Sequence, residues 1–259
     1  MRNVWRDLQF GLRLLWKNPV FTLVAVLALA LGIGANTAIF SVVYATLLAP
    51  LPYHQPDRIV MVWSKVRDNR NVTAAGTYLE WKRQSTAFES MAAWTGGQMS
   101  LTTSGQPEQV QSEPGTPGFL EVLGQPFLMG RDFLPEEGEV GKDHEVILTY
   151  RLWKNRFGGD RDIIGRQVRL NSEPYTVVGV LAPGATDRVR SELYVPLSFK
   201  PEQINHEFHW LLVMARLKPG VTLAQANADM DSVTKHIAEV FPNRTKAGAP
   251  VSNPCRTTF

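Results

Sequence analysis

Residues 19–56 read PVFTLVAVLALALGIGANTAIFSVVYATLLAPLPYHQP, 38 positions without one Asp, Glu, Lys or Arg. Residues 21–48 alone, as a helix rising ~1.5 Å per residue, span about 42 Å against a hydrocarbon core of about 30 Å. The stretch therefore reads as a transmembrane helix over residues 19–48. Two other readings compete. Ala28-Leu29-Ala30 has the small-x-small form of a cleavage site, but signal-peptide apolar regions run to only about 15 residues and this one continues far past the cut. A helix buried in a soluble core rarely runs so far without a charge.

Charge sets the expected orientation. Residues 1–18 carry Arg2, Arg6, Arg13 and Lys17 against Asp7, which is the whole formal excess of +3 in the 259-residue chain. Basic residues stay on the cytoplasmic side, so the N-terminus is expected there and the chain beyond residue 48 outside the cytoplasm. Trp5, Leu8, Leu12, Leu15 and Trp16 recur at helical spacing with Arg6, Arg13 and Lys17 between them. That pattern suits an interfacial amphipathic helix over residues 1–18, anchored by Trp5, Arg6, Arg13, Trp16 and Lys17 at headgroup depth. A lipid surface accounts for the basic pI better than nucleic acid does. Within the span, Ala30, Gly34 and Ala38 lie four apart and Asn36 adds an amide that needs a partner in hydrocarbon. These four residues are expected to pack against other membrane helices.

About 200 residues follow, enough for one or two real cores. Strand-like runs occur at residues 59–63, 109–112, 193–197 and 209–217. Residues 168–170 and 175–180 are apolar and β-branched, separated by Asn171-Ser172-Glu173-Pro174 as a longer hairpin turn. Residues 77–94 show helical spacing through Leu79, Phe88 and Met91, and residues 119–123 a brief helix closed by Gly124. Thr222 and Gln225 form a capping box ahead of Leu223, Ala226, Met230, Val233, Ile237 and Val240, with Pro242 closing that helix. The reading is an α+β extracytoplasmic domain over residues 49–245 with a β-rich insertion at about 140–200. Residues 246–259 read as an irregular tail.

Three stretches together resemble the MacB-like/FtsX-type ABC transporter permease family. They are Leu31-Gly32-Ile33-Gly34-Ala35-Asn36-Thr37-Ala38-Ile39-Phe40-Ser41; then Leu152-Trp153, Phe157-Gly158-Gly159-Asp160, Ile164-Gly165-Arg166 and Tyr175-Thr176-Val177-Val178-Gly179-Val180; and Ala215-Arg216-Leu217-Lys218-Pro219-Gly220-Val221. The resemblance implies a ferredoxin-like (porter-like) part with a β-rich inserted lobe. It also implies a permease subunit of the inner membrane whose periplasmic domain moves for export when a cytoplasmic ABC ATPase partner hydrolyses ATP. The implied partners are that ATPase, a second permease half forming a homo- or heterodimer, and membrane lipid; ATP would bind the partner, leaving no cofactor in this chain. Family permeases continue with three further membrane helices that this chain lacks, so a truncated or fragmentary subunit is expected. The alternative is a single-span anchored binding or adaptor domain without transport.

Catalytic chemistry is not expected. Gly138-Glu139-Val140-Gly141-Lys142-Asp143 has the wrong spacing for a phosphate-binding loop and places an Asp where a metal-binding hydroxyl belongs, so the region around Glu136–Glu139 reads as a solvated acidic loop. His206, His209 and His236 lack partners at ligand spacing for a metal. No serine sits in a Gly-x-Ser-x-Gly elbow. The lone Cys255 allows no disulfide framework within the chain. Trp63, Trp81, Trp94, Trp153 and Trp210, scattered over separate elements, are expected in cores.

Overall fold

The computed structural model describes residues 15–43, 53–66, 69–103, 105–184, 191–241 and 251–252. The chain divides into two units, residues 1–50 and 51–259, each taken by itself below.

In the first unit, Leu15–Lys17 are helical, Asn18 interrupts, and helix α1 (Pro19–Val43) begins. Proline at the first helical position lacks an N–H to satisfy and disfavours helical backbone in the residue before it, which sets the break at Asn18. Thr22 closes the corner: its Oγ1 donates to the carbonyls of Leu15 (2.8 Å) and Asn18 (3.0 Å). The helix is apolar on every side, with Val20, Leu31 and Phe40 more than 60 % exposed. Residues 19–41 have a mean hydropathy of 2.2 and bury nothing within the protein, as a helix meant for lipid would.

The second unit begins with β1 (Ile59–Val62), a hairpin of β2 (Ser64–Val66) and β3 (Asn69–Asn71), the short β4 (Thr73–Ala74), α2 (Ala75–Gln84) and β5 (Phe88–Trp94). Next come β6 (Gly97–Thr102), β7 (Pro107–Gly115), α3 (Phe119–Leu123), β8 (Phe127–Gly130), β9 (Glu145–Leu148) and α4 (Tyr150–Phe157). β10 (Gln167–Leu170), β11 (Glu173–Leu181), β12 (Leu193–Pro196), β13 (His209–Leu217), α5 (Leu223–Val240) and β14 (Val251–Ser252) complete it.

β1-α2-β5 and β13-α5-β14 are two split β-α-β halves, and their strands lie in the order β14-β1-β13-β5 with every neighbour antiparallel. This is the ferredoxin-like arrangement, and everything between β5 and β13 is inserted. β1 is buried at all four positions because its sheet is covered on both faces. Val60 and Val62, with Val213 and Ala215, face Tyr78, Trp81, Met230 and Ile237 of the two long helices. Ile59, Met61 and Met214 face Phe119, Leu120 and Leu123 of α3.

The inserted lobe is a closed barrel. β6, β7, β12, β9, β11 and β10 pair in succession, and β10 returns to β6 at Leu170↔Leu101. Leu101, Val110, Val146, Leu148, Leu170 and Val177 fill it, with Trp153 packed into the same core. The lobe thus draws β6 and β7 from before residue 140, ahead of the expected 140–200 insertion, because the parallel β7–β12 pairing is what closes it.

Four further expectations are corrected. Residues 77–94 are not one helix. α2 stops at Gln84, and Asp229 of α5 captures the Thr86 amide (3.0 Å), the Thr86 hydroxyl (2.7 Å) and the Ala87 amide (3.1 Å) before β5 begins. The register of β5 slips at Glu89, with Leu217 opposite Phe88 but Arg216 opposite Ser90. That one-residue bulge brings Phe88 and Met91 to one face of a strand at a spacing of three, which imitates a helix. The β10–β11 turn is two residues, not four: Asn171 (φ 50°) and Ser172 (φ 71°) take the left-handed backbone of a tight hairpin. The acidic loop is a 3₁₀ turn at Pro135–Gly138 in which Glu137 is buried. Arg131 and the Leu134 amide (2.8 Å) bind its carboxylate. The tail contributes β14, held to β1 at Val62↔Val251, with the Asn227 Oδ1 accepting the Val251 amide at 2.9 Å. Pro242 lies outside the described residues; α5 ends at Val240, behind the expected Thr222–Gln225 capping box.

Candidate functional site: an arginine staple on the entry segment

Residues 53–58 are the first described after the span, and two arginines fasten them to the central sheet. Pro56–Arg58 form a 3₁₀ turn behind Gln55, whose backbone is left-handed (φ 49°). Arg58 donates Nη1 to Gln55 Oε1 (2.7 Å) and Nε to the Leu217 carbonyl (2.9 Å), and pairs through Nη2 with Glu89. Glu89 is the residue at the bulge of β5, so the irregularity that disguised this strand also supplies a partner for Arg58.

Arg216 is the second staple. β13 alternates Leu211, Val213, Ala215 and Leu217 toward the long helices with Leu212, Met214 and Arg216 toward α3. Arg216 is 5 % exposed, donating Nη1 to the His54 carbonyl (2.9 Å) and Nη2 to the Val122 carbonyl (2.6 Å). One guanidinium therefore ties the entry segment, the central strand and the last turn of α3 together. Burial, then the nearby charge of Arg58, pulls its pKa below the ordinary arginine value. The contact leaves no spare room at Gly124: a Cβ there would lie 2.7 Å from His54 Cβ and 3.3 Å from Arg216 Nη2. Gly124 also holds a left-handed backbone (φ 64°) that ends α3.

Sequence reading missed both arginines as site residues. The available signal was a lone cation inside the apolar run His209–Leu217, where burying a charge costs several kcal/mol unless it is paired. The residues that were singled out fall elsewhere. Ala30, Gly34 and Ala38 form one exposed stripe on α1, and no atom lies within 4 Å of a Cβ built on Gly34. Asn36, two positions on from Gly34, points about 200° round the helix and so is not on that stripe. Trp16 and Lys17 are exposed just before the Asn18 break; Trp5, Arg6 and Arg13 lie outside the described residues.

The histidines do not converge. His206 is buried with Nδ1 3.0 Å from Thr77 Oγ1 and its ring 4.4 Å from Phe241. His209 Nδ1 lies 2.8 Å from the Glu207 carbonyl, and His236 is on α5 beside Glu239. Among the described residues no cluster of three or more His, Cys, Asp or Glu could hold a metal. Trp81 and Trp210 belong to the helix-side core, Trp63 and Trp94 to the α3 side, and Trp153 to the barrel. The arrangement ties the entry segment to the central sheet and to α3.

Solved structures share this fold at low identity. The periplasmic region of MacB from Actinobacillus actinomycetemcomitans superposes with a TM-score of 0.56 at 15 % identity, covering 76 % of this chain and 88 % of that one. A domain of a putative permease from Porphyromonas gingivalis gives 0.58 at 16 %, covering 78 % and 92 %. The extracellular domain of the noncanonic ABC-type transporter YknZ from Gram-positive bacteria gives 0.54 at 16 %, covering 75 % and 100 %. No curated protein matches. The sequence profile of the MacB-like periplasmic core domain matches residues 22–233, and the chain belongs to that family.

Proposed function

We propose that this chain serves as a permease subunit of an ABC transporter, in which hydrolysis of ATP by a cytoplasmic partner moves the extracytoplasmic domain to drive export. The observation that carries the reading is the staple. Arg216 and Arg58 fix the segment following the span to the central strand and to α3, so displacement of that segment must displace the sheet. Packed interfaces of this kind move as units and do not bend gradually.

The basic N-terminus favours a cytoplasmic start and a domain outside the inner membrane. Trp16 and Lys17, with Trp5, Arg6 and Arg13, would anchor the chain at lipid headgroups. The Ala30, Gly34, Ala38 stripe would receive a helix of the second permease half, and Asn36 on the opposite side would meet a different neighbour. ATP would be bound by the partner subunit.

The test is purification of the intact tagged chain from its native membrane in mild detergent. The reading expects an ABC ATPase and permease partner in stoichiometric amounts. Recovery of the folded, membrane-bound chain alone would overturn it in favour of an anchored adaptor domain.

A further inference from the structure

The most built feature outside the staple is a pocket of about 400 Å³ at one end of the barrel. Three arginines from three elements line it: Arg156 from α4, Arg166 from the loop that follows, and Arg169 from β10. No carboxylate is among the lining residues, while Thr102 and Thr103 add hydroxyls and the partly exposed Phe157 an apolar face, with Ile163 and Val168 beneath it in the barrel core.

Two of the cations are paired and keep donors to spare. Arg156 pairs with Glu108 through Nη2, and Arg166 with Asp160 through Nη1. A guanidinium has five N–H donors, so each pairing leaves others free to turn inward. The backbone beneath Arg166 is pinned: the Gly165 amide donates to the Val177 carbonyl (2.8 Å) and the Arg166 carbonyl accepts from the Val177 amide (2.9 Å). Gly165 adopts φ 83°, which turns the chain there. Arg169 stands between Thr102 and Pro174 in the ladder, and its guanidinium donates to the Ser172 carbonyl at 3.3 Å. Among the described residues two charges are thus paired with carboxylates outside the lining and the third is not.

We propose that this barrel mouth binds the phosphate group of a small anionic amphiphile. Forked guanidiniums recognise phosphate oxygens in pairs, and threonine hydroxyls supply further donors to a tetrahedral anion. The volume of about 400 Å³ exceeds what a bare phosphate needs and lies within the range of ligand pockets, and the Phe157 ring offers an apolar surface for a short chain. The site is separate from the staple and does not depend on transport.

The test is calorimetric titration of the full chain in neutral detergent with dihexanoyl phosphatidic acid, glycerol 3-phosphate, inorganic phosphate and dihexanoyl phosphatidylcholine. The proposal expects saturable binding of the phosphatidic acid, at least about tenfold tighter than the phosphatidylcholine. R169Q, and separately R156Q, should weaken it by about tenfold or more, with the unfolding temperature of the exposed R169Q variant within about 3 °C of wild type. Phosphatidic acid binding much more tightly than inorganic phosphate identifies a lipid-like source. Equal binding of inorganic phosphate keeps the oxyanion site but assigns it to the free ion and removes the role of Phe157. No saturable binding of any phosphate compound up to about 5 mM, or unchanged affinity in R169Q, overturns the proposal.

Discussion

Replacing Arg216 with Met keeps the apolar stem and removes the staple. The lost interactions are two charge-assisted hydrogen bonds, to the His54 carbonyl at 2.9 Å and the Val122 carbonyl at 2.6 Å. Bonds to a charged donor contribute about 1.5–3 kcal/mol each, so the gross loss is about 3–6 kcal/mol. Against this, the variant no longer buries a cation, and burial disfavours the charged form of Arg216. The net cost is then about 2–4 kcal/mol, within the range expected when a buried polar network is broken. For a domain of this size that corresponds to a fall in unfolding temperature of about 4–16 °C. Tryptophan fluorescence follows it, since Trp63 and Trp94 belong to the core facing α3. R216K, a point charge able to reach one carbonyl at a time, should recover part of the loss. A change of less than about 0.5 kcal/mol in R216M would refute the reasoning, because surface-like substitutions fall in that range.

Gly124→Ala should destabilise by about 1–3 kcal/mol, read in the same melt, through its left-handed backbone and the 2.7 Å approach to His54 Cβ. Glu137 is opposed by burial but held below the usual carboxylate range by Arg131 and the Leu134 amide. Its contribution is therefore present above the unfolded value of about 4.3 and lost as pH falls through the folded one, and E137Q should flatten stability against pH on the acid side. Glu113 has the opposite sign: burial raises its pKa and the Ser191 hydroxyl only partly compensates. E113Q should stabilise the protein above the folded pKa, with the gain vanishing once pH drops below the unfolded one. Gly34→Leu, on the exposed stripe of α1, should reduce recovery of the proposed second permease half in detergent severalfold while leaving the melt of the globular unit unchanged.

Elements with a local cause were legible. The capping box of α5, the apolar run of β13 ended by Lys218-Pro219-Gly220, the Gly124 stop of α3 and the β10–β11 hairpin each sit in a few consecutive residues. What escaped depends on distant partners. β5 imitated a helix because the bulge at Glu89 shifts its pattern, and only pairing with β13 shows that it is a strand. Barrel closure rests on β7 meeting β12 with Ser112 opposite Leu193, for which no nearby residue gives a sign. β14 is two residues long and is placed by Asn227 and Trp63, far away in sequence. The Phe157-Gly158-Gly159-Asp160 and Ile164-Gly165-Arg166 stretches carry part of the family resemblance. Their physical role is a set of left-handed turns that bring Arg166 beside the barrel mouth. Arg216 was visible as a cation in an apolar strand, but its meaning depends on His54 and Val122, brought to it from elsewhere in the chain.

Hydrogen exchange on the chain assembled with its proposed ATPase and permease partners tests the central claim most directly, with nucleotide-free and vanadate-trapped states compared for wild type and R216M. The account predicts that in wild type the amides of residues 53–58 and 119–125 change protection together between the two states. In R216M the first segment should still respond while the second no longer follows. Equal, concerted responses of both segments in folded R216M, or no response of residues 53–58 in wild type, would contradict it.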